Sequence, residues 1–412
     1  MVATVVYPSG RQFLTIAKEA TPGTPVPGVA TLLVEEFKPA DKPVWLDDKG
    51  WRGSMAEVYG RQEGVIKTEF SMKGACFVDA LPYLLSNIFG DIAYTGGTTT
   101  GSPTTTTAIL TAGVTAVIPV ASATGIITGT VLAIDTAGLL ELVTVLSVAS
   151  LNVTITAPVA KTHASGVTVQ PVTGPFSAAF SLLNTGSAQP TTHTLTHYLG
   201  PTATVAARAY PGSCLSELNL TFNAETQLFS FDAKGLSWPS VPAAALPTPN
   251  PTAITPIASW RAALGIGGPA SGGTAIKYIS DGAINIKRQL DPVFTAQNQQ
   301  VPYDIVRGTL GASGKLNFVA VPDESQLLNM LNNTQPQLQL VVDNGQASTA
   351  HGLVQIDCQT AAYMDFIPET GKAAVGYTGG FDAIANTTNA GLSAGYSPVK
   401  VTVLNNVAPQ SY

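Results

Sequence analysis

The sequence predicts a mainly β chain: two tandem β-sandwich or barrel domains, each with one short helix, and a small all-β domain inserted in the first. Three observations predict it. Charged residues make up only 11% of the 412, against about 25% in ordinary soluble domains, so turns and packed apolar faces must carry the structure. The 39 glycines and 29 prolines supply those turns. Strand-length alternations of apolar and polar residues recur along the chain, and one order of parts, strand then short helix, occurs in both halves.

The first domain is expected over residues 1–97 and 173–240. Its opening, Met1-Val-Ala-Thr-Val-Val-Tyr-Pro8, has neither a basic nor a continuous apolar leader region, which predicts no signal peptide and synthesis in a cytoplasm. Residues 38–64, with Trp45, Asp47, Asp48, Trp51, Arg52, Tyr59 and Arg61, read as a long polar-aromatic loop before the first regular strand. In that strand Ile66, Thr68, Phe70 and Met72 alternate with Lys67, Glu69, Ser71 and Lys73, one face buried and one wet. A short helix follows: Asp79 suits its N-cap, Pro82 its first turn, Leu81, Leu84, Leu85 and Ile88 its apolar stripe, and Gly90 its end.

Residues 98–172 change composition to Thr, Val, Ala and Gly, with only Asp135, Glu141 and Lys161 charged. Thr115-Ala-Val-Ile-Pro-Val120, Val131-Leu-Ala-Ile134, Leu142-Val-Thr-Val145 and Val153-Thr-Ile155 read as short strands of an inserted β domain. The uncharged run from Ile92 to Ile134 is long enough for a membrane span, but Thr, Ser, Gly and Pro interrupt it throughout, so no membrane insertion is expected. Residues 241–273, rich in Pro, Ala and Gly, are assigned as a linker to a second domain over 274–412. There Arg307-Gly308 leads into alternating Leu316, Phe318 and Ala320, and Asp323-Glu-Ser-Gln326 resembles a capping box before Leu327, Leu328 and Leu331. An internal duplication explains this recurrence; the alternative is one large sandwich completed by the second half.

Catalytic and metal chemistry find no footing. Cys76, Cys214 and Cys358 are odd in number and far apart, which excludes a disulfide framework or zinc module. His193 and His197, four apart in a Thr-rich strand pattern, are too widely separated for one metal ion. Gly265-Ile-Gly-Gly lacks the Lys-Ser/Thr of a phosphate loop. Asp47-Asp48 reads as solvated loop and Asp323-Glu324 as a helix start, so paired-acid hydrolysis is not indicated. Neither an enzyme nor a cofactor is expected. With 20 basic against 26 acidic residues the net charge is −6, and any DNA contact would be non-adhesive.

Four segments, in this order, carry a resemblance: Thr15-Ile-Ala-Lys-Glu-Ala-Thr-Pro-Gly-Thr-Pro-Val26, Gly50-Trp-Arg-Gly with Arg61 and Gly64, Leu84-Leu85-Ser-Asn-Ile-Phe-Gly90, and Tyr210-Pro-Gly-Ser-Cys-Leu-Ser-Glu-Leu218. Together they resemble the phage tail tube proteins of long, flexible-tailed, siphovirus-like phages. The likeness spans almost everything outside the insert, which itself resembles small β modules of phage structural proteins. The resemblance implies a virion protein of stacked rings whose inner sheets join edge to edge into a hollow tube for genome ejection. Double-stranded DNA would pass through a neutral or acidic lumen without specific binding. Partners would be further copies of the chain and tape measure, terminator and distal tail proteins. It also implies helices outside the tube (Asp79, Leu84, Leu85; Asp323, Leu327, Leu328) and a long loop reaching the next ring (Trp45, Asp47, Asp48, Trp51, Arg52, Tyr59, Arg61). A duplicated chain would close a trimeric, pseudo-hexameric ring, an unduplicated one a hexamer. The competing readings are a baseplate hub or distal tail protein, and a secreted carbohydrate-binding adhesin.

Overall fold

The computed structural model describes residues 9–200, 207–243, 252, 254–322, 325–370, 374–407 and 412. The chain opens with β1 (Phe13–Lys18) and β2 (Ala30–Leu32), then forms a long hairpin of β3 (Glu36–Asp48) and β4 (Gly60–Ala75). After α1 (Leu81–Phe89) and β5 (Gly90–Thr95) it enters the insert: β6 (Thr98–Thr99), β7 (Thr104–Thr105), β8 (Val117–Pro119), β9 (Val131–Ile134), β10 (Glu141–Ala149), β11 (Asn152–Ile155) and β12 (Thr168–Thr173). These seven strands form a sheet of their own over a separate apolar cluster that includes Ile118, Leu132, Val143 and Val153. His163 is fully buried there, its two ring nitrogens 3.2 Å from Asp135 and 3.1 Å from Glu141.

The chain returns through β13 (Phe176–Leu182), β14 (His193–Tyr198), β15 (Arg208–Asn223), β16 (Ser230–Ser237) and β17 (Val241–Pro242). The later part contains β18 (Ala262–Ile266), β19 (Ala275–Ile276), a second long hairpin of β20 (Ile279–Val293) and β21 (Asp304–Val319), and α2 (Ser325–Leu331). It ends with β22 (Leu338–Asp343), β23 (Leu353–Cys358), β24 (Ala361–Glu369), β25 (Gly376–Ala383) and β26 (Lys400–Asn405). The mainly β expectation is met.

One antiparallel sheet of twelve strands dominates: eight of them run in the order β3-β4-β16-β15-β20-β21-β25-β24, while β14, followed by β1 and β2, and β17 pair with the first part of β15. It contains one arrangement twice, long hairpin beside second hairpin, and the repetition extends to the irregularities. The β3/β4 register shifts between Pro43 and Trp45, opposite Ile66 and Glu63. The β20/β21 register shifts between Arg288 and Leu290, opposite Leu310 and Arg307, at the equivalent rung. Likewise β15 shifts between Leu215 and Glu217, and β24 between Tyr363 and Asp365. A β-bulge re-aims a strand at one defined place, so paired bulges fix the residue-by-residue equivalence of the two units.

Facing this sheet is a second, β19-β18-β22-β23-β26-β13-β5. Leu218, Leu220, Ile284, Ile286 and Leu316 from the first meet Leu340, Val354, Ile356, Val401 and Val403 from the second in one core. β18 lies where composition had placed linker. Its Gly265 serves close packing, because the backbone of Pro269 comes within 2.4 Å of where a Cβ would stand, and Leu264 is buried. Trp260, in contrast, stays 64% exposed beside Arg261.

All nine residues of α1 are buried, against β15, β13, β5 and β1. Its polar residues are satisfied: the Asn87 amide donates to Ser213 O at 2.8 Å and its carbonyl accepts from Leu215 N at 2.7 Å. Asp79 is not the N-cap. It is a half-buried turn residue, its carboxyl pushed up chiefly by burial, and Ala80 occupies the cap position without a side-chain bond. Gly90 ends the helix in the left-handed conformation, φ 85°, as the sequence suggested. Arg288, from the second hairpin, donates to Ile88 O at 2.6 Å and so places a cation at the negative end of the helix.

α2 occupies the equivalent place but is differently covered. Leu328 is 47% and Leu331 65% exposed, while Gln326 is buried. Asp323 and Glu324, expected to open this helix, lie outside the described residues. Leu84→Ala is therefore expected to cost the isolated chain about 2–5 kcal/mol, and the equivalent Leu328→Ala no more than about 0.5 kcal/mol. Urea unfolding of the two variants checks this, and equal losses would contradict it.

Candidate assembly surfaces

Strand pleating gives the eight-stranded sheet two unlike faces. One packs on the core. The other carries Lys38, Lys42, Lys67, Lys73, Lys234, Lys287 and Lys315 among Glu36, Glu69, Glu217, Asp232, Asp281, Asp365, Glu369 and Asp382, so opposite charges nearly balance. The balance is local. Glu36 takes Lys73 at 2.8 Å and also Lys38, and these bonds hold its carboxyl down at about 2. Glu217 takes Lys234 at 3.0 Å, Lys287 at 3.8 Å and the Asn285 amide at 2.6 Å. Lys67 meets Glu69 at 3.2 Å. Exposed pairs of this kind add little stability. Their effect is to leave few lysines available to a phosphate backbone. Lys42 and Lys315 have no ion pair among the described residues.

The segment expected as a loop over residues 38–64 is instead mostly hairpin, with only Lys49–Tyr59 outside the two strands. β4 pairs with β16 only as far as Thr68, and β20 with β15 only as far as Lys287, so both long hairpins project beyond the sheet at one end. They touch where Ile66 N donates to Gln300 O at 2.8 Å. Six of the seven residues named for this segment knit the first arm. Arg61 Nε donates to Asp47 at 2.8 Å and its guanidinium lies 5.9 Å from the Trp45 ring. Arg52 pairs with Asp48 and lies 4.9 Å from the Tyr59 ring, and Tyr59 N donates to Asp48 O at 2.9 Å. Lys49 and Glu57, which sequence reasoning passed over, pair at 2.7 Å. The seventh, Trp51, is not tucked onto the core. It and Met55 are wholly exposed, at 101% and 104%. The tip thus holds two large apolar side chains in water.

A family model described as phage tail tube protein matches residues 9–383. The chain belongs to the phage tail tube protein family. It is thus a structural protein of the virion, and its mainly β architecture is consistent with that family. No curated protein matches it.

The remaining candidates have structural places in the tail tube protein. His193 and His197 both lie on β14 but in different surroundings. His193 is buried against Asn87 and Ser86, its imidazole pushed down to about 3 chiefly by burial, while His197 bonds Gln12. The three cysteines are buried and free of disulfides. Among the described residues no helix is long and apolar enough to cross a membrane. The Lys/Glu balance of the sheet face was only partly visible beforehand, in the wet side of the strand around Lys67 and Glu69. The tail tube protein is expected not to be retained on immobilised double-stranded DNA at about 0.15 M salt. The variant Glu36→Gln, Glu69→Gln, Glu217→Gln should gain salt-sensitive retention; equal behaviour of the two would refute the neutralising role.

Proposed function

We propose that three chains close a ring in which six sheet units join edge to edge, and that such rings stack into the tail tube. The observation that carries this is the eight-stranded sheet itself: its polar face is charge-balanced and its two outer strands, β3 and β24, each have a partner on one side only among the described residues. An open edge is a row of unpaired backbone donors and acceptors, and a closed ring removes it without endless aggregation. The paired bulges support two equivalent units per chain by internal duplication, over residues 1–97 with 173–240 and 274–412, and hence three chains for six units.

In this arrangement the charge-balanced face lines the bore, and genomic DNA crosses it without adhering during ejection. The hairpin arms, with Trp51 and Met55 at the first tip, reach the adjacent ring. The outer sheet carries the insert, residues 98–172, away from the bore. Besides further copies of the chain, its partners in the tail are tape measure, terminator and distal tail proteins.

Electron microscopy of the purified chain at rising concentration tests this. Hollow tubes with threefold rotational symmetry are expected. Sixfold symmetry would discard the duplicated ring, and rings that never stack would move the protein to a baseplate position. Trp51→Ala with Met55→Ser should leave the thermal midpoint of the unassembled chain within about 2 °C, since both side chains are solvent-exposed, yet suppress stacking. Unimpaired tubes from that variant would remove the tip from the ring contact.

A further inference from the structure

The chain contains its own template for the contact between chains. β15 of the first unit pairs with β20 of the second, with Glu217 opposite Lys287, Asn219 opposite Asn285 and Thr221 opposite Ala283. The paired bulges make β24 the equivalent of β15 and β3 the equivalent of β20. Strand direction alternates through all eight strands, so a following β3 would add to β24 antiparallel, as β20 adds to β15.

We propose that β3 of one chain pairs with β24 of the next in the register of the internal β15–β20 joint, setting Lys42 against Asp365 of the partner subunit and Lys38 against Glu369 of the partner subunit. This rests on the ring assembly proposed above and specifies its seam. The equivalence was drawn from bulge positions alone, yet it lands an acid opposite a base at two rungs. Glu217 and Lys287 already show that pairing inside the chain. Among the described residues Lys42 has no ion pair of its own, and Asp365 and Glu369 are held there by Gly380 N and the Thr378 hydroxyl, both at 2.6 Å.

Other registers fit worse. A slip of one residue turns every side chain to the wrong face. A slip of two toward the start of β3 sets Glu36 against Glu369 of the partner subunit, like charges in a close pair. The proposed register also brings Pro39 opposite Pro368 of the partner subunit, so the donors those two prolines lack are missing from a single rung, and Pro43 falls at the bulge beyond the paired rungs. Inside the chain, Ala224 N donates to Ser280 O at 3.0 Å, which fixes the phase of the ladder: the rungs of Glu217, Asn219 and Thr221 are the non-hydrogen-bonded ones. By equivalence Ala40 and Ile367 of the partner subunit share such a rung, where Cβ atoms come closest.

The test is a full-length variant carrying Ala40→Cys and Ile367→Cys, assembled and then oxidised with copper phenanthroline; the native Cys76, Cys214 and Cys358 are buried. Non-reducing gels are expected to show chains linked in closed threes, at least about tenfold more than for Ala40→Cys with Asp365→Cys, the two-residue slip. Threefold tubes that cross-link better in the slipped pair, or in neither, would overturn the register while leaving the tube intact. Failure of the unmodified chain to form tubes would instead count against the assembly reading. Should the cysteine variant not assemble, charge reversal decides. Lys42→Asp should raise the concentration needed for assembly about tenfold, a change of about 1.4 kcal/mol, and adding Asp365→Lys should restore it; no restoration would overturn the seam.

Discussion

Antiparallel pairing of β15 with β20 is the contact on which the remainder of the molecule depends. It turns two four-stranded units into one continuous sheet, and the consequences run outward from it. The two long hairpins are brought to the same end of the sheet, close enough for Ile66 to bond Gln300. The second hairpin's Arg288 is carried to the end of α1, where it meets Ile88 O. Leu218 and Ile286, opposite one another across the joint, are both buried in the common core. A purely backbone ladder would tolerate slippage; burial of one face and the Glu217–Lys287 pair on the other hold the register.

The unlike fates of the two helices follow from what each unit has around it. α1 is covered by β1 and by the β13–β15 stretch, and its apolar and polar sides are both enclosed. Between β23 and β24 only two residues intervene, where the first unit has room for β14, so among the described residues nothing equivalent lies over α2. A repeated framework need not repeat its packing. The same backbone plan has been filled once as an interior and once as a surface.

Much of the fold was legible where burial imposed a period. Phe70 and Met72 alternate with Glu69 and Lys73 because one side of β4 is core, and the insert announced itself through compact apolar runs that pack on one another. The arm of β3 was illegible for the opposite reason: from Ala40 to Asp47 its residues are exposed on both faces, so no hydrophobic alternation marks the strand, and backbone pairing with β4 alone defines it. β18 was hidden by Gly265, whose smallness serves close packing rather than a turn. Asp79 had the chemistry of a cap but lies one position early. The segment from Trp45 to Arg61 stood out in the sequence by its aromatic and charged residues, yet only the three-dimensional structure separates its knitted stem from the exposed Trp51 and Met55. The charge-balanced sheet face draws residues from strands far apart in sequence, and no local window could assemble it.

The insert is present once per chain, whereas the sheet unit it grows from is present twice. In a ring of three chains the bore would follow an approximately sixfold pattern while the exterior follows a strictly threefold one. Decorations would then stand on alternate facets, leaving bare facets between them. Were such a tube to bend, rings would approach one another on its inner side, and the bare facets would leave room there for the inserts.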